Sequence, residues 1–235
     1  VETLLTLWQV LPAPDWLALA LFFGAWAGYA AFAKRRARTT PSLLALTNRE
    51  RMRWMRQTSW RDNRVVDGVV VQSLSTSPSF FASTTILIIG GLLAVLSTTE
   101  KASSLVAEIP FAAHTSLLVF DLKVVVLVAI FVYAFFRFTW SLRQYGFGAL
   151  LVAAAPAHDR FADEAEREAF ADRAGRVMGL AAESFNDGLR AYYMSFAACA
   201  WFVSPWALVA ATATVLLVLY RREFRSDVLA VLAER

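Results

Sequence analysis

Between Asp15 and Lys34 the chain carries no charge, and other stretches along it repeat the pattern. Charge-free apolar runs of this length constrain the fold more than any other feature. In hydrocarbon every backbone N–H and C=O must be satisfied within the segment itself, which leaves the α-helix. The composition agrees, with 58% of the 235 residues apolar and 18% charged, where soluble domains carry about 45–50% and about a quarter. The single Cys199 excludes a disulfide scaffold, and the apolar content excludes a disordered chain. A net charge of +4 does not make a nucleic-acid binder, because it leaves the apolar blocks unexplained.

The first run, Trp16 to Ala33, reaches nearly across a hydrocarbon core at about 1.5 Å per residue, with Trp16 and Tyr29 suited to its edges. A cleavable signal is disfavoured. Glu2 and Asp15 precede the run, and Lys34, Arg35, Arg36 and Arg38 follow it where small residues would mark a cleavage site. That basic cluster predicts an outside N-terminus and a cytoplasmic segment from residue 34 onward. Ten basic residues between Lys34 and Arg64 stand against Glu50 and Asp62.

Phe80 to Leu96 then returns outward, with Ser77-Pro78 read as the N-cap and first turn of its helix. Ser97 to His114 reads as an external loop. Thr115 to Phe136 crosses inward, and apolar sequence continues past Arg137 and Arg143 to Ala155, so the third helix is expected to run on into the cytoplasm. Ala191 to Tyr220 holds thirty residues without a charge, interrupted by Ser204-Pro205-Trp206. Proline removes a helical hydrogen bond there. Two readings stay open. A single kinked span would leave Arg221, Arg222 and Arg225 outside. A hairpin turning between Trp201 and Trp206 would return them to the cytoplasm, as the charge rule prefers, with Leu189 and a snorkelling Arg190 completing its first arm.

Two segments remain for the cytoplasm, about 41–75 and 158–187. In the first, Val65, Val66, Val69, Val70 and Leu74 form an apolar stripe at helical spacing, and few breakers occur before Ser77-Pro78. The second is acidic, with eight Asp or Glu against Arg160, Arg167, Arg173 and Arg176. The expected fold is all-α: a polytopic integral membrane helical bundle with cytoplasmic helical extensions. It forms one domain over residues 1–235, in the inner (plasma) membrane, with spans at about 16–33, 80–96, 115–136 and the Pro-broken 191–220.

Catalytic signatures are absent, so no enzyme, cofactor or metal site is expected. His114 and His158 fall on opposite sides of this topology, and Cys199 reads as a buried hydrophobe. Ser77, Thr84 and Gly91 are spaced by seven around Phe80 and Phe81. Such hydroxyls face neighbouring helices or a wet pathway, and the phenylalanines would form a constriction that gates by dewetting. The alternative is helix packing, with Gly90-Gly91 allowing close approach. A charged vestibule is expected from Arg61, Asp62, Arg64, Asp67, Arg137, Arg143 and Glu223. Arg137 and Arg143 would pair with Asp62, Asp67 or Glu223, since a buried Arg needs an acidic partner or water. Asp121 and Lys123 are expected to snorkel. Arg49, Arg51, Arg53 and Arg56, interleaved with Met52, Trp54 and Met55, suit an anionic headgroup layer or the acidic helix.

The runs RDNRVVDG, SFFASTTILIIGG, FVYAFFRFTWSLRQY, FNDGLRAYY and LYRREFRS together resemble a multipass membrane family of bacteria and plants, domain of unknown function 599. The resemblance covers roughly Trp16 to Ser226. It implies an integral membrane helical protein and carries over no reaction, ligand or catalytic residue. The residues themselves predict a homo-oligomeric channel or pore for small ions, anions before cations, in contact with anionic lipid headgroups and with no nucleic-acid partner. The alternatives are a non-catalytic membrane scaffold or accessory subunit, and a lipid-binding membrane protein.

Overall fold

The computed structural model describes residues 11–37, 39–107 and 116–234; Glu2, Arg38, His114 and the predicted span start at Thr115 lie outside them. The regular elements among them are helical. They are α1 (Ala13–Arg36), α2 (Leu43–Ser59), α3 (Val65–Ser97), α4 (Thr99–Ala107), α5 (Leu117–Ala153), α6 (Glu164–Cys199), a 3₁₀ turn (Ala200–Phe202), α7 (Pro205–Phe224) and α8 (Asp227–Ala233). Three of these, α1, α3 and α5, are long and apolar enough to cross a membrane, and the chain is a multi-pass membrane protein. α4 occupies part of the stretch expected to be an irregular loop.

Helix boundaries follow local chemistry. Ser42 starts α2 by accepting a hydrogen bond from the Ala45 amide at 3.2 Å, and Trp60 ends it with its own N–H on the carbonyls of Gln57 and Thr58. The expected continuous helix over 41–75 is therefore broken at Trp60–Arg64. Asn63 turns the chain by accepting from the Val65 amide at 2.9 Å. From there α3 runs unbroken for 33 residues with Pro78 inside it. Ser77-Pro78 is thus not a helix start. The turn before Pro78 is already helical, so the proline deletes one hydrogen bond from an existing helix. α5 continues for 37 residues to Ala153, past Arg137 and Arg143 as the apolar sequence predicts. Its length is about 55 Å, well beyond a hydrocarbon core of about 30 Å.

The chain divides into two compact units. The first comprises the described part of Val1–Arg36 together with Thr85–Tyr133 and Arg190–Tyr220. Its contacts decide between the two readings of 191–220. The Arg190 guanidinium lies 6.0 Å from the Tyr29 ring near the end of α1. The Trp201 indole donates to Asp15 at the start of α1, 2.6 Å away. The Tyr220 ring then sits 6.4 Å from that of Phe32. The chain climbs α1 from its last turns to its first and comes back, so the segment is a hairpin turning at the 3₁₀ element. Cys199, expected inside, is exposed.

The second unit comprises Ala37–Thr84, Ala134–Leu189 and Arg221–Arg235. Its core joins Met55, Val71, Tyr145, Val152, Phe170 and Met178 around the small residues Ala171, Ala174 and Ala181. The last three belong to α6, where small side chains let α2 approach closely. A Cβ on Gly175 would stand 2.3 Å from the Met52 sulfur and 3.1 Å from its Cα. The valine stripe of α3 faces outward: Val65, Val66 and Val69 are all more than 60% exposed. Ser141 Oγ donates to the Ala181 carbonyl at 2.7 Å, and Ser184 and Gln144 are hydrogen-bonded at 2.7 Å.

Gly188 faces the wholly buried Phe138, whose ring lies 5.3 Å from Phe81 and 5.7 Å from Phe185. A Cβ at position 188 would stand 2.4 Å from Phe138 Cε1, in a ring held on both sides. Gly188→Ala is expected to lower stability by about 1–3 kcal/mol through overpacking, as thermal unfolding in detergent will measure. Gly90→Ala, where nothing in the chain lies within 4 Å, should melt no lower than the parent.

Candidate functional site

α3 is the least covered of the three long helices: 11% of its most apolar stretch is buried, against 44% for α5. At about 100° per residue, Ser73, Ser77, Phe80, Thr84, Leu87 and Gly91 fall on one stripe. Thr84 in it is half-buried and the other five are exposed, Phe80 to 63%. Beside it runs a second exposed row of Gln72, Thr76, Ser79, Ser83 and Gly90. Four of the five residues singled out for a pore or gate therefore share one open face. Phe81 leaves it. One residue on from Phe80, it turns inward and packs its ring against Phe138 and Phe185. The hydroxyl buried deepest is Thr85, bonded to the Tyr192 hydroxyl at 2.6 Å.

The expected vestibule residues lie in the second unit, and one ion pair among the described residues joins two of them, Arg61 and Asp67. Asp67 is wholly buried, and its Oδ1 accepts from the Trp54 indole at 2.6 Å, from Thr58 Oγ1 at 2.9 Å and from Arg61. Arg64 donates to the carbonyls of Thr58, Ala155 and Pro156, closing off backbone acceptors beyond the end of α5. Asp62 pairs with His158. Glu223 accepts from the Leu44 amide at 3.2 Å. Neither of the two inner-end arginines finds an expected acid. Arg137 pairs with Asp187, and Arg143 lies 5.9 Å over the Phe147 ring. Arg137 thus fastens α5 to α6, while Arg143 stays over its own helix.

Lys123 reverses its expectation. Only 1% exposed, it donates to the Trp201 carbonyl at 3.0 Å and stands 5.5 Å over that indole ring. The same tryptophan donates to the buried Asp15 carboxylate, so one residue bridges a buried cation and a buried anion. Arg167 was also not foreseen. Its guanidinium is sandwiched 3.7 Å from the Trp60 ring and 4.6 Å from Phe161, and it donates to the Ser59 and His158 carbonyls at 2.8 and 2.9 Å. An arginine in an acidic run gives no sequence sign of such a seat. On α2, Arg51 donates to Asn48 at 2.8 Å, and burial pushes its guanidinium below the usual value.

A family profile described as a protein of unknown function, DUF599, matches residues 17–228. No curated protein and no solved structure matches the chain.

Proposed function

The chain belongs to the DUF599 family, and from that premise we propose that it forms a homo-oligomer in which the α3 helices of several copies face one another around a conduit for small ions. The open face of α3 carries this reading. Beside the exposed Phe80 and Leu87, this face offers Ser73, Thr76, Ser77, Ser83, Gly90 and Gly91, more hydroxyls and small residues than a purely lipid-facing surface calls for. Small residues and hydroxyls at helical spacing suit a neighbouring helix or a hydrated path. Phe80, exposed among them, is the residue placed to narrow that path.

Orientation follows from the basic ends. Phe32 and Tyr220 meet, and each leads into a basic run, Lys34–Arg36 and Arg221–Arg222, which the charge rule places in the cytoplasm. The N-terminal side of α1 is then outside, the C-terminus is cytoplasmic, and the membrane is the inner (plasma) membrane. The pairing of Arg61, Arg64 and Arg137 within the chain speaks against an arginine ring that selects anions. The proposal therefore assigns no charge preference and no reaction.

Purified protein in planar bilayers tests the reading. Stepwise currents are expected, and Phe80→Ala should raise the unitary conductance several-fold by widening the narrow point. A second reading, a non-catalytic scaffold, is favoured by the same arginine fastenings. It predicts oligomers that carry no current under any ionic condition.

A further inference from the structure

Two clefts in the second unit adjoin along α2. One, of about 740 Å³, lies against α6, and the other, of about 560 Å³, follows the α2 surface; both are lined by Asn48 and Met52. The floor is apolar, with Met52, Leu151, Val177 and Leu180. The walls are basic: Arg49, Arg53 and Arg56 come from α2, and Arg173 and Arg176 from α6, with Glu183 the acid lining either cleft. Three of these arginines already have exposed acidic neighbours, Glu50, Glu168 and Asp172. Arg49 and Arg173 form no ion pair among the described residues, and both are exposed.

The groove also has a defined place along the chain. The Leu44 amide, one turn before Asn48, donates to Glu223, which directly follows Arg221 and Arg222 at the end of α7. If α7 is the returning arm of a membrane hairpin, as proposed above, the upper end of the groove opens at the headgroup layer. An inorganic anion would satisfy the arginines and leave the floor bare. A lipid with an anionic headgroup satisfies both, since guanidinium holds phosphate oxygens in pairs and the acyl chain covers Met52 and Leu180.

We infer that the groove between α2 and α6 is a binding site for an anionic phospholipid of the adjacent leaflet, its phosphate drawn by Arg49 in one cleft and Arg173 in the other. The proposal concerns one chain and does not depend on conduction or on copy number.

Native mass spectrometry of the full chain in detergent tests it, with palmitoyl-oleoyl phosphatidylglycerol as probe and phosphatidylcholine of the same chains as comparison. The wild type should retain one phosphatidylglycerol per chain at concentrations where phosphatidylcholine is lost. Arg49→Gln/Arg173→Gln should weaken retention about tenfold, the loss expected when charge-assisted contacts go. Arg35→Gln/Arg36→Gln, which lowers charge equally elsewhere, should leave it unchanged. Leu180→Gln attacks the floor instead and should weaken retention of both lipids. Equal retention of the two lipids by the wild type would overturn the proposal without any variant. So would equal losses in the two double variants, or displacement of the lipid by glycerol phosphate at equal concentration, which would mark a tail-independent anion site.

Discussion

Asp67→Ala is expected to lower the stability of the detergent-solubilised protein by about 1–3 kcal/mol, the range for leaving a buried donor without its acceptor. The carboxylate gathers three donors on one oxygen; the Thr58 hydroxyl also has the Trp54 carbonyl at 2.9 Å, so the Trp54 indole is the donor stranded by its loss. Trp54 Nε1 and Thr58 Oγ1 both point at Asp67 Oδ1, and only Arg61, 43% exposed, can return to water. The substitution would separate the end of α2 from the start of α3, because Asp67 is the group that holds both to the Trp60–Arg64 turn. Asp67→Asn should lie between the two. It keeps the acceptor but places an amide where Oδ2, buried and without a hydrogen-bond partner, now sits. Denaturant or thermal unfolding followed by tryptophan fluorescence will rank the three proteins. An alanine variant within 1 kcal/mol of the parent would show that the turn is held by Arg64 alone.

The second large effect concerns the buried lysine. Asp15→Ala should cost about 3–5 kcal/mol because it removes the anion from a buried arrangement that retains the Lys123 ammonium. Lys123→Met keeps the volume and removes the charge, so the pair Asp15→Ala/Lys123→Met should recover most of that loss. The coupling between the two positions, read from a double-mutant cycle of melting free energies, should exceed 1 kcal/mol. Additive losses would mean that Trp201 separates two independent bonds: its carbonyl with Lys123 and its indole with Asp15.

What could be read from the sequence and what could not divides along one physical line. Periodic and continuous features were legible. The apolar run past Arg137 does become a single helix, the Pro-broken segment does turn between Trp201 and Pro205, and Ser77, Phe80, Thr84 and Gly91 do share a face. Features set by distant partners were not. Lys123 looked like a snorkelling residue because the carbonyl that holds it belongs to Trp201, 78 residues on. Arg137 finds Asp187 in the acidic run 50 residues on, a partner that no local spacing marks. Ser77-Pro78 carries a sound start signal. Whether proline begins a helix or interrupts one depends on the preceding turn, and here Ser75 already bonds back to the Val71 carbonyl at 2.9 Å. The break at Trp60–Arg64 was hidden for the same reason, since Arg64 holds it through carbonyls more than 90 residues away.

The valine stripe at the start of α3 joins these cases to function. Helical spacing predicts one apolar face, which it has, but not where that face points. Val65, Val66 and Val69 are exposed on a helix about 50 Å long, which exceeds the hydrocarbon thickness by roughly 20 Å. In the proposed assembly a neighbouring copy covers this apolar surface and the hydroxyl-bearing stripe further along.

Disulfide trapping in native membranes tests that claim most directly. In a Cys199→Ser background, single cysteines at Ser77, Thr84 and Gly91 should cross-link copies into dimers under mild oxidation, while cysteines at Val71, Ala82 and Thr85 on the opposite, buried face should not. Cross-linking from neither face, or equally from both, would contradict an assembly built around α3.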